Sequence, residues 1–377
     1  MSIESNNWID HLLQLTCLNI QLTPTQVKSA EEKYGAISKW LGEKGSPLLE
    51  CAPTIYPQGS LVLGTTVKPI GNDEYDLDLV CQLDVDSART SPSELFSMVL
   101  ERMQANDSYK GKLTPGKRHI RIDYAQEFHL DIVPACPDRS RGGTYMLIPD
   151  KAEDSQPTKW RSTNPKGFAA WFNSKSELRL FAAKEAVVEP FPEIEKFEEM
   201  SPLKHSVQLI KRWRNILYNG DLKEAPSSIL LSTIIADKYA GCKSLVESIT
   251  AAISSLELSC PVNALPTRVY NPSNKGESLN DAWFNNPSAY QAIATNIQSL
   301  KKSWHALLAI QNSGIDTIAV GLEKLFGEDV RVAVKKHADL IKSLRKDQRL
   351  GLAKTGKIVV YGSGVVPSFS NPSFYGK

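Results

Sequence analysis

Asp76 and Asp78 stand one residue apart in Tyr75-Asp76-Leu77-Asp78-Leu79-Val80. In an extended chain, residues two apart point to the same face. The two carboxylates therefore project together, while Leu77 and Leu79 go to the opposite face. Neighbouring carboxylates repel, a cost that makes chemical sense when a cation sits between them. Asp131 repeats the device in Phe128-His129-Leu130-Asp131-Ile132-Val133, with Leu130 and Ile132 as the inward neighbours. If the two strands are adjacent, three carboxylates converge. Hard oxygen donors with open positions suit Mg²⁺, with Mn²⁺ as the alternative. A pair of such ions can bind both an attacking hydroxyl and a departing pyrophosphate. An isolated Asp-x-Asp also fits a solvated acidic turn, so its surroundings decide.

Gly59-Ser60 lies upstream, with Ser60 sixteen residues before Asp76 and Gly64-Thr65 between. A glycine at a helix entrance lets a phosphate approach the backbone, and Ser60 offers its hydroxyl. The N–H groups of a helix starting after Ser60 would then favour the anion. A lone Gly-Ser is otherwise a plain helix cap.

Several elements must position these groups. Residues 7–43 carry apolar positions at helical spacing, broken at Thr23-Pro24, which predicts a short helix and then a longer one from about Thr25 to Leu41. From 52 to 133 the texture is α+β. Strands are expected at Thr54–Tyr56, Leu77–Leu83, His119–Tyr124 and Phe128–Val133, the last two forming a hairpin around Ala125-Gln126, with helices after Ser60 and at Ser93–Gln104. Residues 137–177 are rich in Pro, Gly, Asn, Asp and Lys and read as a long ordered loop or lid anchored by Tyr145, Trp160, Phe168, Trp171 and Phe172. Helices return at Leu203–Tyr218, Ser227–Ala240, Leu245–Leu258, Pro287–Ala309 and Thr317–Leu325. A tail rich in Gly, Ser and Pro follows from Gly351.

The run GSLVLGTTVKPIGNDEYDLDLV, together with HLDIVPA, resembles the polymerase-β-type nucleotidyltransferases. More narrowly, it is similar to the bacterial cGAS/DncV-like enzymes (CD-NTases, or SMODS domains) of CBASS anti-phage defence. The motif-level resemblance covers about residues 56–134 and continues more loosely into the helical half. It implies a polymerase-β-like core with an N-terminal helical spine and a C-terminal helical lobe, bilobed overall. The expected division is 1–200 for the N-terminal helix plus nucleotidyltransferase core, 201–350 for the helical lobe and 351–377 for the tail. The resemblance makes Asp76, Asp78 and Asp131 the ligands of two Mg²⁺ ions, with Asp131 also activating the acceptor hydroxyl. It maps the family's phosphate-gripping Gly-Ser onto Gly59 and Ser60.

In Val207-Gln208-Leu209-Ile210-Lys211-Arg212-Trp213, the resemblance gives Lys211 a grip on the donor triphosphate, and Ser228 opens the next helix as its partner, with Ser227 close behind. A lysine offers a mobile point charge and a helix-start serine a neutral donor. Tyr270-Asn271-Pro272-Ser273-Asn274 resembles a segment near the nucleotide pocket, although an Asn-Pro turn explains it equally well. The end of the chain, Asn371–Lys377, suits conjugation by a ubiquitin-ligase-like partner, but Lys377 departs from a bare glycine terminus.

Composition bounds these expectations. The 377 residues carry a net charge of +2, which argues against a protein that coats long nucleic acid. The basic run Lys110, Lys112, Lys117, Arg118 and Arg121 is short, and Arg121 has an alternative partner in a neighbouring strand. A nucleic-acid activator is therefore not expected. The six scattered cysteines form no CxxC pair and cluster with no histidines, so no zinc site is expected and reduced thiols in a cytoplasmic protein are. No apolar run has the length of a membrane span. The expected reaction is condensation of nucleoside triphosphates, ATP among them, into a cyclic di- or trinucleotide. Its rivals are nucleotidyl transfer to RNA ends or to protein, and a silent binding module, which would have no need of three mutually repelling carboxylates.

Overall fold

The computed structural model describes residues 8–71, 75–124, 128–151, 159–176, 200–219, 222–347, 350–352 and 358–360. The Asp73-Glu74 pair, the expected turn at Ala125-Gln126 and the Asn371–Lys377 end lie outside the described residues. The chain is α+β, as expected. Helix α1 (Trp8–Ile20) is followed by α2 (Pro24–Gly42), which a reciprocal Thr23/Gln26 cap opens with Pro24 in its first turn.

Then come β1 (Thr54–Gln58), β2 (Tyr75–Gln82), α3 (Pro92–Gln104), β3 (Leu113–Pro115), β4 (Ile120–Tyr124), β5 (Phe128–Pro137), β6 (Met146–Asp150), β7 (Lys159–Thr163) and α4 (Pro165–Lys175). The second half holds α5 (Pro202–Leu217), α6 (Ser228–Asp237), α7 (Leu245–Ser259), a short hairpin of β8 (Tyr270–Asn271) and β9 (Asn274–Ser278), α8 (Asp281–Asn285), α9 (Pro287–Ala309), α10 (Ile315–Phe326) and α11 (Asp329–Lys346), then the small pair β10 (Leu350–Leu352) and β11 (Ile358–Val360).

The first seven strands make one mixed sheet in the order β1-β2-β5-β4-β3, with β6 on β5 and β7 on β6. The β2–β5 pair is parallel and the other pairs are antiparallel. Alternation gives the sheet two unlike faces. On one, Leu77, Leu79, Cys81, Leu130 and Ile132 pack with Tyr34, Ile37 and Leu41 of α2 and with Leu95, Val99 and Met103 of α3. Each such buried side chain contributes about 1.5–3 kcal/mol. The opposite face carries Asp76, Asp78 and Asp131. Further along the same strands it is closed by Tyr56, Val80, Ala135, Met146 and Ile148. The large core thus fixes the backbone that presents the carboxylates.

Two expectations are corrected. No helix opens at Ser60: residues 59–64 are successive turns, closed by Leu63 N–H to Gly59 O (3.3 Å) and Thr65 N–H to Ser60 O (2.9 Å). The reason is local, because Gly59 and Gly64 both adopt positive φ (70° and 65°), which no helix continues. Residues 137–177 are not a loop either. They supply β6, β7 and α4, whose strand pairing the richness in Pro and Gly concealed.

The chain separates into two compact units: one is Ile20–Gln298, the other the described residues of Met1–Asn19 and Ser299–Lys377. The expected boundary at residue 200 falls inside the larger unit, where α5 reaches the turn after β1 through side-chain hydrogen bonds to Thr65, Thr66 and Lys68 carbonyls. In the smaller unit α1 is tied to α11 by His11 and His337, whose ring nitrogens lie 2.7 Å apart, and by Asn19 Nδ2 donating to Asp329 (2.7 Å).

Candidate active site

Parallel pairing of β2 with β5 sets Asp78 directly opposite Asp131, and Asp76 opposite His129. Asp131 is 7% exposed, Asp78 is half-buried and the side chain of Asp76 is 58% exposed, so the cluster grades from interior to solvent. On the other side of β2, Gln58 at the end of β1 pairs with Asp78. The next residue, Gly59, therefore passes over that carboxylate. A Cβ at Gly59 would collide with Asp78 Oδ2, and φ is +70°, so two separate demands select glycine. The Ser60 hydroxyl lies 3.2 Å from the Thr66 hydroxyl. All five predicted residues of this group are thus on or beside one patch of the sheet.

Crowding leaves an electrostatic signature. Burial first, then Asp131 and Asp76, push the Asp78 carboxyl up to about 7. This cluster of three carboxylates gathered on one patch of the sheet is the donor chemistry a divalent cation fits. It is nevertheless not a preformed cage. Among the described residues no three acidic, histidine or cysteine side chains stand together as metal ligands. Arg121, which β4 places opposite Asp131, lies among these carboxylates. Its Nε donates to Asp131 Oδ1 (2.8 Å), and its Nη2 to Asp131 Oδ2 (2.8 Å) and to Asp76 Oδ1 (3.2 Å). The guanidinium lies against the carboxylates that an ion would need. His119 Nε2 is 3.7 Å from Asp131 Oδ2, and burial holds that ring toward its neutral form.

Helix α5 is unusual in burying Lys204, Gln208, Lys211, Arg212 and Arg214 along with its apolar residues. Several of them face the turn after β1. Lys211 Nζ donates to Thr65 O (2.7 Å) and Gln208 Nε2 to Thr66 O (3.1 Å). Burial, and then Arg214, press the Lys211 ammonium down to about 7, against the pull of Asp78 and Asp76. Ser228 is the first residue of α6, capped by Ser227. The Ser228 hydroxyl accepts from Arg214 Nη1 (3.1 Å), which also donates to Pro226 O (3.0 Å). Arg214, one helical turn from Lys211 and 5% exposed, thus brings a second buried cation to the Ser228 hydroxyl. Two buried cations, bonded here to neutral oxygens, make a seat for a polyanion.

Sequence reasoning missed Arg121 and Arg214 as site residues. For Arg121 the signal was present: Ile120-Arg121-Ile122 alternates, so the arginine shares a face with Asp131 once the hairpin is drawn. For Arg214 it was the spacing of three from Lys211. Arg118 pairs with Asp150 (2.8 Å), so both arginines of the basic run are engaged within the fold. The Tyr270–Asn274 segment is a hairpin fastened to the β7 edge. Asn274 Nδ2 donates to Ser162 Oγ (3.2 Å), Asn164 Nδ2 to Ser273 O (3.2 Å), and Asn271 Nδ2 to Glu277 (2.8 Å). These amides serve the turn.

Residues 7–176 match the family described as SMODS, the Second Messenger Oligonucleotide or Dinucleotide Synthetase domain. The chain is 32% identical over 349 residues to a c-di-GMP synthase of Roseivirga ehrenbergii, covering 90% of this chain and 89% of that protein. It is 29% identical over 244 residues to the cyclic dinucleotide synthase CdnG of Bradyrhizobium diazoefficiens, covering 59% and 57%. Among solved structures it resembles that CD-NTase CdnG in complex with GTP, with a TM-score of 0.70 at 24% identity over 87% of this chain and 98% of that one. The apo form of DncV from Vibrio cholerae shares the fold at a TM-score of 0.54 and 14% identity, over 85% and 86%. Among the described residues no helix is long and apolar enough to cross a membrane.

Proposed function

We propose that GTP is the substrate of this chain, which belongs to the SMODS family of second-messenger oligonucleotide or dinucleotide synthetases. It is a nucleotidyltransferase that joins nucleoside triphosphates into a cyclic product and releases pyrophosphate. The proposed product is the cyclic dinucleotide c-di-GMP, made in bacterial anti-phage signalling. Supporting the guanine reading, the c-di-GMP synthase aligns along nine-tenths of the chain.

The observation that carries the site is the parallel register that sets Asp78 against Asp131, with Gly59 folded over Asp78. Asp76, Asp78 and Asp131 would hold two Mg²⁺ ions. When bound, these supply positive charge to the attacking oxygen and to the leaving pyrophosphate. The turn from Gly59 to Thr66 and the Lys211, Arg214 and Ser228 group grip the donor triphosphate between them. Asp131 takes the proton from the acceptor ribose hydroxyl. That oxygen bonds to the α-phosphorus while the bond from the α-phosphorus to the bridging oxygen of pyrophosphate breaks in line. A second round within the linear intermediate closes the ring. Incubating the enzyme and Mg²⁺ with each labelled triphosphate alone, then with mixtures, and identifying products by mass spectrometry tests the assignment. The expected result is c-di-GMP from GTP alone. A product that requires ATP would overturn the guanine reading, and label transferred to RNA or protein would overturn the small-product reading.

A further inference from the structure

Arg121 is bonded to two of the carboxylates that the proposed reaction needs for its ions. Both oxygens of Asp131 accept from it at 2.8 Å, and Nη2 is shared with Asp76 at 3.2 Å. This fork on a carboxylate is the strongest common form of charge-assisted pairing. Asp131 is nearly inaccessible to solvent. Without a cation beside it, its charge would be buried and uncompensated, a severe cost. The neighbouring His119 stands farther off, its Nε2 3.7 Å from Asp131 Oδ2, so the close cation is Arg121.

We propose that Arg121 is a built-in counter-cation of the aspartate cluster: it neutralises Asp131 and Asp76, competes with divalent ions for them, and yields to those ions when they bind. This rests on the reading that the three aspartates hold divalent ions. The fold offers Arg121 somewhere to go. Asp123 lies two residues along β4, on the same face, with its side chain 44% exposed and Oδ1 2.9 Å from His129 Nδ1. Two residues along a strand on one face lie within the length of an arginine side chain, so Asp123 is the acidic group to which Arg121 would turn. The consequence is a free enzyme with low affinity for bare ions, to which ions come best in company with a triphosphate that brings its own oxygen ligands.

The rival account makes Arg121 a fixed prop that orients Asp131 while ions use the remaining lone pairs. The two accounts predict opposite signs. Mn²⁺ binding to the nucleotide-free, full-length chain, measured by electron paramagnetic resonance, separates them. Wild type, Arg121→Met, Arg121→Lys and Asp131→Asn are compared, with circular dichroism as the check on folding. Competition predicts that Arg121→Met binds Mn²⁺ about tenfold or more tightly than wild type, since one charge-assisted pair no longer opposes the ion. Arg121→Lys, which keeps the charge but loses the fork, should fall between, and Asp131→Asn should lose this binding. Equal or weaker binding in Arg121→Met, with binding still lost in Asp131→Asn, overturns the inference in favour of the prop. If Arg121→Met does not fold, Arg121→Lys carries the same test, tighter binding supporting competition and equal or weaker binding overturning it. Undiminished Mn²⁺ binding in Asp131→Asn would instead overturn the metal reading itself, and the inference with it.

Discussion

Asp78 shows how a single residue can cost the fold something and serve the reaction. Its carboxyl is raised from an ordinary 3.8 to about 7 by burial and by Asp131 and Asp76. A raised acid is protonated in the folded chain while it is ionised in the unfolded one. The resulting penalty is absent near pH 4, grows as pH rises and is complete above about 7. Asp78→Asn removes that penalty. The metal-free variant should melt about 1–2 °C higher at pH 8, as a relief of ~1 kcal/mol does in a chain of this size, with little change at pH 4. Product formation should fall by about 10²-fold or more, because a ligand for the ions is gone. Calorimetric melting and a pyrophosphate assay check both halves. A variant less stable than wild type at pH 8, or as active, would contradict the assignment. This much was legible in the sequence: alternation alone puts Asp76 and Asp78 on one face, and the Leu-Asp-Ile pattern repeats the device at Asp131. The mate of Asp131 was legible only in part: the sequence allowed Arg121 a partner in a neighbouring strand without saying which. Only the antiparallel register of β4 on β5 turns it inward.

Among the elements, α5 binds the two parts of the site together. Its span, expected at Leu203–Tyr218, was visible in the sequence. The burial of its polar residues was not, since nothing local shows that Thr65, Thr66 and Lys68 carbonyls will meet Gln208, Lys211 and Arg212 across about 140 residues. The same lack of local signal hid β6 and β7, short strands that pair with each other and, through β6, with the end of β5. It also suggested a helix at Ser60 where glycine conformation gives turns. The buried Lys211 has its own pH consequence. Its ammonium is lowered from 10.5 to about 7, so its penalty is fully present below 7 and is relieved as pH rises toward the unfolded value. An arriving polyphosphate restores the charge. Binding of a non-hydrolysable GTP analogue at pH 8 should therefore take up as much as about one proton. Titration calorimetry in buffers of different ionisation enthalpy reads this directly, and heats independent of buffer would contradict a role for Lys211 at the triphosphate.

For the whole molecule, a net charge of +2 and a sheet carrying acids on one face and a continuous apolar core on the other describe an enzyme that concentrates charge locally. The larger unit, Ile20–Gln298, contains every residue assigned to the reaction. The central claim is that three carboxylates on two parallel strands drive nucleotide condensation with divalent ions. The most direct test measures GTP-dependent pyrophosphate release and cyclic product by wild type and by Asp131→Asn, matched for folding by circular dichroism and compared with and without Mg²⁺. The account predicts Mg²⁺-dependent release with cyclic product from wild type, and loss of both by about 10²-fold or more in the variant. Undiminished release by Asp131→Asn, or release by wild type that is indifferent to removal of divalent ions, would contradict it.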